Sequence, residues 1–258
     1  MVRKKNEDTI GFDSALGLIV LADGMGGHRG GEVASSMSVD AVLDRLQQQL
    51  PKLKSGRTDP ETGFSLESLC IQEAIESAND QIFQAADRNP DHFGMGTTIV
   101  VLLYYNNTFS LGHVGDSRCY RLRSDKLEQI TKDHSLLQEL IDRGFYTLEE
   151  AKNSKNKNLV TRALGIGPQV NVDIQEDIVL KNDIYLLCSD GLTDLVEDEY
   201  IHLTIKRFSD NLEEAAKHLI TKANENGGKD NISVMLCRID DDFSAEQNWF
   251  GKLFARFD

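Results

Sequence analysis

Along the chain the spacing of apolar and polar residues changes period several times, and each change marks an element. "TIGFDSALGLIVLAD" (9–23) holds two short apolar runs around a polar turn and predicts a β-hairpin. From Gly31 to Leu50, Val33, Met37, Ala41, Val42 and Leu46 recur at helical spacing. "PKLKSGRTDPETG" (51–63) is a loop on composition. Ile71, Ile75, Ala78 and Ile82 mark a second long helix that stops before "RNPD". Residues 96–131 then alternate apolar strands with turn dipeptides, Asn106-Asn107 and Ser124-Asp125, and predict an antiparallel meander. The stretch 133–158 is polar and helix-prone without a buried face. "DIYLLCSDG" predicts a strand, "EDEYIHLTIKRF" and "LEEAAKHLITKANE" two helices, and "NISVMLCRI" the closing strand. Hairpin-linked strands grouped apart from helices give an α+β class.

Composition narrows the function. With 258 residues and 40% apolar content, the chain can bury one large core. Lys plus Arg total 28 against 42 Asp plus Glu, a formal charge of −14. That sign argues against nucleic acid and anionic membranes as partners. Cys70, Cys119, Cys188 and Cys237 are widely spaced, with no Cys-x-x-Cys pair, and are expected to be buried thiols in a reducing compartment. "MVRKKNEDT" has no apolar core of the kind a signal peptide needs, and "IVVLLYY" is too short to span a bilayer, so a cytoplasmic protein is expected.

The candidate chemistry lies in carboxylates at strand ends. An apolar run ends in Asp23-Gly24 and another in Asp190-Gly191; Asp116 follows a third, Asp230 precedes the last, and "NED" supplies Glu7 and Asp8. Any one Asp-Gly alone reads as a turn. Together they would crowd one sheet rim with like charges, which needs a neutralising cation. Oxygen-only ligands suit Mg²⁺, Mn²⁺ or Ca²⁺ rather than zinc. One carboxylate can bridge two such ions, and a following glycine lets its carbonyl approach them.

"VRKKNED", "LADGMGGHRGGEVAS", "GMGTT", "GHVGDSRCYRL", "LVTRALG", "CSDGLTD" and "GGKDNISVML" occur in this order between Val2 and about Ile239. The set resembles the metal-dependent Ser/Thr protein phosphatases of type 2C, in their bacterial spelling. The resemblance implies a central antiparallel β-sandwich flanked by helices on both faces. It implies two Mn²⁺ or Mg²⁺ ions bridged by Asp23, with Gly24 ligating through its carbonyl. Asp190 and Asp230 would complete one metal site, and Glu7 and Asp8 would lie around the other, directly or through water. Asp116 matches a ligand of a third, weaker ion, and Arg3 matches the arginine that grips substrate phosphate.

The expected reaction is hydrolysis of phosphoserine and phosphothreonine esters by direct attack of a hydroxide held by the two metals. The chain shows no cysteine with an arginine six positions on, no Gly-x-Ser-x-Gly elbow and no Gly-Lys-Ser/Thr phosphate loop, so no covalent nucleophile is expected. His28 is a candidate general acid, against a structural histidine bonding the glycine loop. His113 is expected to pack, and "KDHS" (132–135) to start a helix. The polar stretch 133–158 matches the family's flap beside the active site, with "NSKNKN" where relatives often carry His-Pro. Residues 1–240 would form the phosphatase domain and 241–258 an amphipathic tail. In that tail Trp249, Phe250, Leu253, Phe254 and Phe257 share a helical face, for docking on the domain or for a partner or membrane contact. The expected partners are phosphorylated protein substrates of a Ser/Thr kinase, met by a monomer. The alternatives are a non-catalytic metal-binding domain of the same fold and a small-metabolite phosphatase.

Overall fold

The computed structural model describes Arg3, Glu150 and residues 5–26, 30–147 and 159–243. His28, most of the second half of the flap and the tail beyond Phe243 lie outside the described residues.

Two antiparallel sheets stack face to face. The first runs in the order β1 (Asp8–Asp13), β2 (Leu18–Met25), β4 (Ile99–Tyr105), β5 (Thr108–Val114), β8 (Asp173–Ile178), and the short β3 (Gly96–Thr97) pairs with the end of β2. The second runs β10 (Val234–Arg238), β9 (Ile184–Cys188), β6 (Arg118–Arg123), β7 (Lys126–Gln129). Three apolar layers hold the stack. Leu21, Val100, Leu102, Leu111, Tyr185 and Leu187 fill the space between the sheets. Helices α1 (Gly30–Gln49) and α2 (Leu66–Arg88) cover the outer face of the first sheet through Val42, Leu46, Ile71, Ile75 and Ile82. Helices α4 (Asp198–Arg207) and α5 (Leu212–Glu225) cover the second through Ile201, Ile205 and Leu219. The short α3 (Leu136–Asp142), capped by Ser135, buries no residue, in keeping with its polar sequence. The expected α/β/β/α sandwich is what the chain forms.

One expectation changes. Residues 96–131 do not form a single meander: β4 and β5 belong to the first sheet, β6 and β7 to the second. The chain switches sheets over Gly115–Ser117, where Gly115 has φ +108°. Alternation along a strand fixes which side chains point inward but not which sheet the strand joins. The switch puts Asp116 on the crossover, at the rim both sheets share. The sequence pattern also misses β8, whose "DIQEDI" is half-exposed along its length as the edge of its sheet.

Candidate metal centre

The hairpin register brings the first two carboxylates together: Asp8 on β1 faces Asp23 on β2. Like charges directly opposite on a sheet are destabilising, so this pairing points to an outside partner. Two carboxylates join them from the second sheet's side. Asp190 follows β9 after Ser189 and opens a single helical turn, Asp190–Thr193, and Asp116 arrives on the crossover. Burial, then Asp8, Asp190 and Asp116 in that order, push the Asp23 carboxyl well above its ordinary range. Burial and then the neighbouring Asp116, Asp194 and Asp230 raise Asp190 to about 7. Burial and Asp133 raise Asp116 to about 6. Burial is also the main cause of the upward shifts at Glu7 and Asp8.

The backbone around these groups is tightly held. The Asp23 N–H donates to Thr98 Oγ1 (3.0 Å), and the Asp23 carbonyl accepts from Thr98 N–H and Thr97 Oγ1 (2.9 Å each). Gly24 N–H donates to the Glu7 carbonyl (3.1 Å), and a Cβ on Gly24 would overlap the carbonyls of Gly31 and Glu7. A Cβ on Gly191 would overlap the Asn231 carbonyl, so the glycine after Asp190 lets the Asp230 loop close against it. Asn231 ties that loop to the N-terminal segment, accepting from Glu7 N–H and donating to the Lys5 carbonyl (2.9 Å each). Arg3 donates from Nη2 to Asp230 Oδ2 (2.7 Å), both side chains being partly exposed. A cleft of about 820 Å³ lies alongside, lined by Lys5, Asn6, Glu32, Val33, Ser36 and Met37.

The donor set fits divalent cations. Asp8 is buried; its Oδ2 accepts from Ser189 Oγ (2.9 Å), while its Oδ1 is buried with no hydrogen-bond partner. A buried carboxylate oxygen without a donor is costly unless something cationic faces it. The donors are all oxygen, matching hard ions.

Of the residues singled out in the sequence, Asp8, Asp23, Asp116, Asp190 and Asp230 gather here, with Glu7, Gly24 and Arg3 beside them. Asp194, Ser189, Thr98 and Asn231 were missed. Each sits inside a quoted motif, "CSDGLTD", "GMGTT" or "GGKDNISVML", and Asp194, a second aspartate four after Asp190, was the legible sign. His113 packs as expected, fully buried with Nε2 2.9 Å from the Lys132 carbonyl.

Comparison with known proteins agrees with this geometry. The family description "Protein phosphatase 2C" matches residues 3–230. The chain is 38% identical over 238 residues to a serine/threonine phosphatase stp of Listeria innocua, covering 91% of this chain and 90% of that one. The crystal structure of the Mycobacterium tuberculosis serine/threonine phosphatase PstP superposes with a TM-score of 0.82 at 36% identity, over 93% of this chain and 95% of that one. A structure of the PstP catalytic domain in complex with two manganese ions superposes at 0.76, again at 36% identity, over 93% and 94%.

Proposed function

The chain belongs to the protein phosphatase 2C family and is a metal-dependent serine/threonine protein phosphatase, and from that premise we propose how its own residues divide the work. Asp23 would be shared by two Mn²⁺ or Mg²⁺ ions, with the Gly24 carbonyl as a further ligand. Asp190 and Asp230 would hold one ion, Glu7 and Asp8 would lie around the other, directly or through water, and Asp116 with Asp194 would hold a third. Asp8 Oδ1, buried and without a donor, is the observation that carries this assignment. Bound there, the ions supply Lewis acidity, acidifying water and balancing the charge that develops on the phosphoryl oxygens.

The remaining tasks fall to side chains. Arg3 is the one residue of the set whose planar guanidinium can take two phosphate oxygens at once. It donates to Asp230 in the structure, so gripping a phosphate would exchange that contact for the substrate. Thr97 and Thr98 hold the Asp23 backbone so that its carboxylate does not turn away. The cleft beside Arg3, with Lys5 and Glu32 on a floor of Val33 and Met37, suits the residues flanking a phosphoserine or phosphothreonine, so a phosphorylated protein is favoured over a small metabolite. The protein acts as a monomer in the cytoplasm on the products of a Ser/Thr kinase. Its four free cysteines suit a reducing compartment, and no described helix is long and apolar enough to cross a membrane.

The test is phosphate release from a phosphothreonine peptide and from a sugar phosphate, with Mn²⁺ or with chelator, for the wild type and Asp190→Ala. The expected result is turnover of the peptide only, lost with chelator and in the variant. Undiminished turnover by Asp190→Ala would overturn the ligand assignment, and a preference for the sugar phosphate would overturn the substrate class.

A further inference from the structure

The motifs "KDHS" and "LVTRALG" meet in a cluster just outside the carboxylates. The buried rings of His113 and His134 stack, with centroids 4.7 Å apart and planes at 17°. His134 holds one residue at both ends: its Nδ1 accepts from Gly115 N–H (3.0 Å), and its own backbone N–H donates to the Gly115 carbonyl (2.9 Å). With Nδ1 an acceptor, the neutral ring carries its proton on Nε2, which points at Asp173 Oδ2 (3.2 Å). Burial, with His113 alongside, holds His134 down to about 4, so the ring is neutral near pH 7. Arg162 Nη1 completes the group, donating to Asp173 Oδ1 (2.5 Å) and to the Asn171 carbonyl (3.0 Å).

His113, His134 and Asp173 place ligand-type atoms within 4.8 Å of one another, which suggests a metal. The hydrogen bonds argue otherwise. One nitrogen of His134 is used by Gly115 and the other bears a proton, so the ring has no lone pair to give. Arg162, 3.1 Å from His134 Nε2, already brings the positive charge that Asp173 needs.

What the cluster does is hold position. Gly115 sits in the left-handed region, where a Cβ would overlap Thr98, and it immediately precedes Asp116. The segment returning from the flap is stitched to the same place. Thr161 N–H donates to the His134 carbonyl (2.8 Å), and Leu164 and Thr97 exchange backbone hydrogen bonds (2.9 and 3.2 Å). We propose that His134, oriented by Asp173 and Arg162, is a positioning residue that fixes Gly115, so that Asp116 presents its carboxylate to a cation, and that couples this cation position to the chain leaving the flap. The inference rests on the reading of Asp116 as a cation ligand.

The test counts Mn²⁺ bound to the folded protein without substrate, by electron paramagnetic resonance of the free ion, with melting temperatures in parallel. His134→Asn keeps an acceptor for Gly115 N–H but cannot reach Asp173, and Asp173→Ala removes the orienting carboxylate. Both are expected to weaken the weakest-bound Mn²⁺ on the order of tenfold, leaving the tighter ions unchanged, with Asp173→Asn closer to wild type. Asp116→Ala is expected to lose that ion altogether. If Asp116→Ala loses it while His134→Asn and Asp173→Ala bind as wild type, lower melting temperatures or not, the positioning role is overturned. If Asp116→Ala keeps every ion, the ligand reading fails and the inference with it.

Discussion

Strand β9 carries an aspartate near each end, and the two live in opposite surroundings. Asp183, just before the strand and 2% exposed, accepts both arms of the Arg123 guanidinium (2.7–3.1 Å) and the Leu180 N–H (2.8 Å). Asp190, just after the other end, is pressed among Asp116, Asp194 and Asp230 and raised to about 7. The same residue type on the same strand is thus neutralised by the protein at one end and left in excess at the other. A fold stabilises a buried charge by supplying its partner. Where it packs several carboxylates against one another, stability has been given up for an external cation, and that asymmetry separates a structural aspartate from a candidate ligand more sharply than burial does.

The most severe way to sharpen this contrast is Asp23→Asn. Removing this charge from the proposed metal centre is expected to lower Mn²⁺-dependent kcat by about a thousandfold or more, while the metal-free protein melts higher than wild type because a buried like charge is gone. Peptide hydrolysis and a thermal melt in chelator check both signs; a lower melting temperature would mean that Asp23 has a protein partner after all. The opposite end should respond in the opposite way. Asp183→Ala leaves Arg123 without its main carboxylate and is expected to destabilise the fold by about 3–5 kcal/mol, with the Mn²⁺ requirement of the remaining folded protein unchanged. Urea unfolding and Mn²⁺ titration of activity test that independence. Arg3→Lys should do less: a point charge replaces the fork, so KM for the phosphopeptide rises on the order of tenfold with kcat changing less. A fall in kcat at constant KM would instead place Arg3 at the transition state alone.

How much of this could be read in advance follows from the same contrast. Asp23, Asp116 and Asp190 were legible because each follows an apolar run, and Asp230 because it precedes one, since sheets gather strand ends at a rim; Glu7 and Asp8 were read from the "NED" motif. The helices α1 and α2 were legible from their 3.6-residue period, and α4 and α5 were expected around "EDEYIHLTIKRF" and "LEEAAKHLITKANE". What stayed hidden is relational. Nothing in "GHVGDSR" says that the chain changes sheets at Gly115, and nothing in β8's "DIQEDI" offers the apolar alternation that marks a strand, since an edge strand buries little. His113 and His134 lie 21 positions apart and Asp173 is farther still, so their joint role depends on the β5–β8 register, which pairs His113 with Asp173. Thr98 and Ser189 were present in recognised motifs, yet their work is to hold backbone and a carboxylate oxygen, and residue type alone does not announce that.

The pH dependence separates the two ends of β9 without any mutation. Asp116 and Asp190, raised to about 6 and about 7, bind protons more tightly in the folded protein than in the unfolded chain, where an aspartate titrates near 4. Between pH 4 and 7 the folded state therefore carries more protons than the unfolded one, and the stability of the metal-free protein falls as pH rises through that window. Cations need the deprotonated carboxylates, so Mn²⁺ affinity moves the other way, rising on the order of tenfold from pH 6 to pH 7 and flattening above that range. The gap between melting temperatures with and without saturating Mn²⁺ is expected to widen from pH 5 to pH 8, by several degrees for each few kcal/mol of binding linkage. Asp183→Ala should lower both curves while leaving the gap intact. A gap that stays constant with pH in the wild type would show that no proton is displaced when metal binds, and the excess carboxylates at the Asp190 end would then need another explanation.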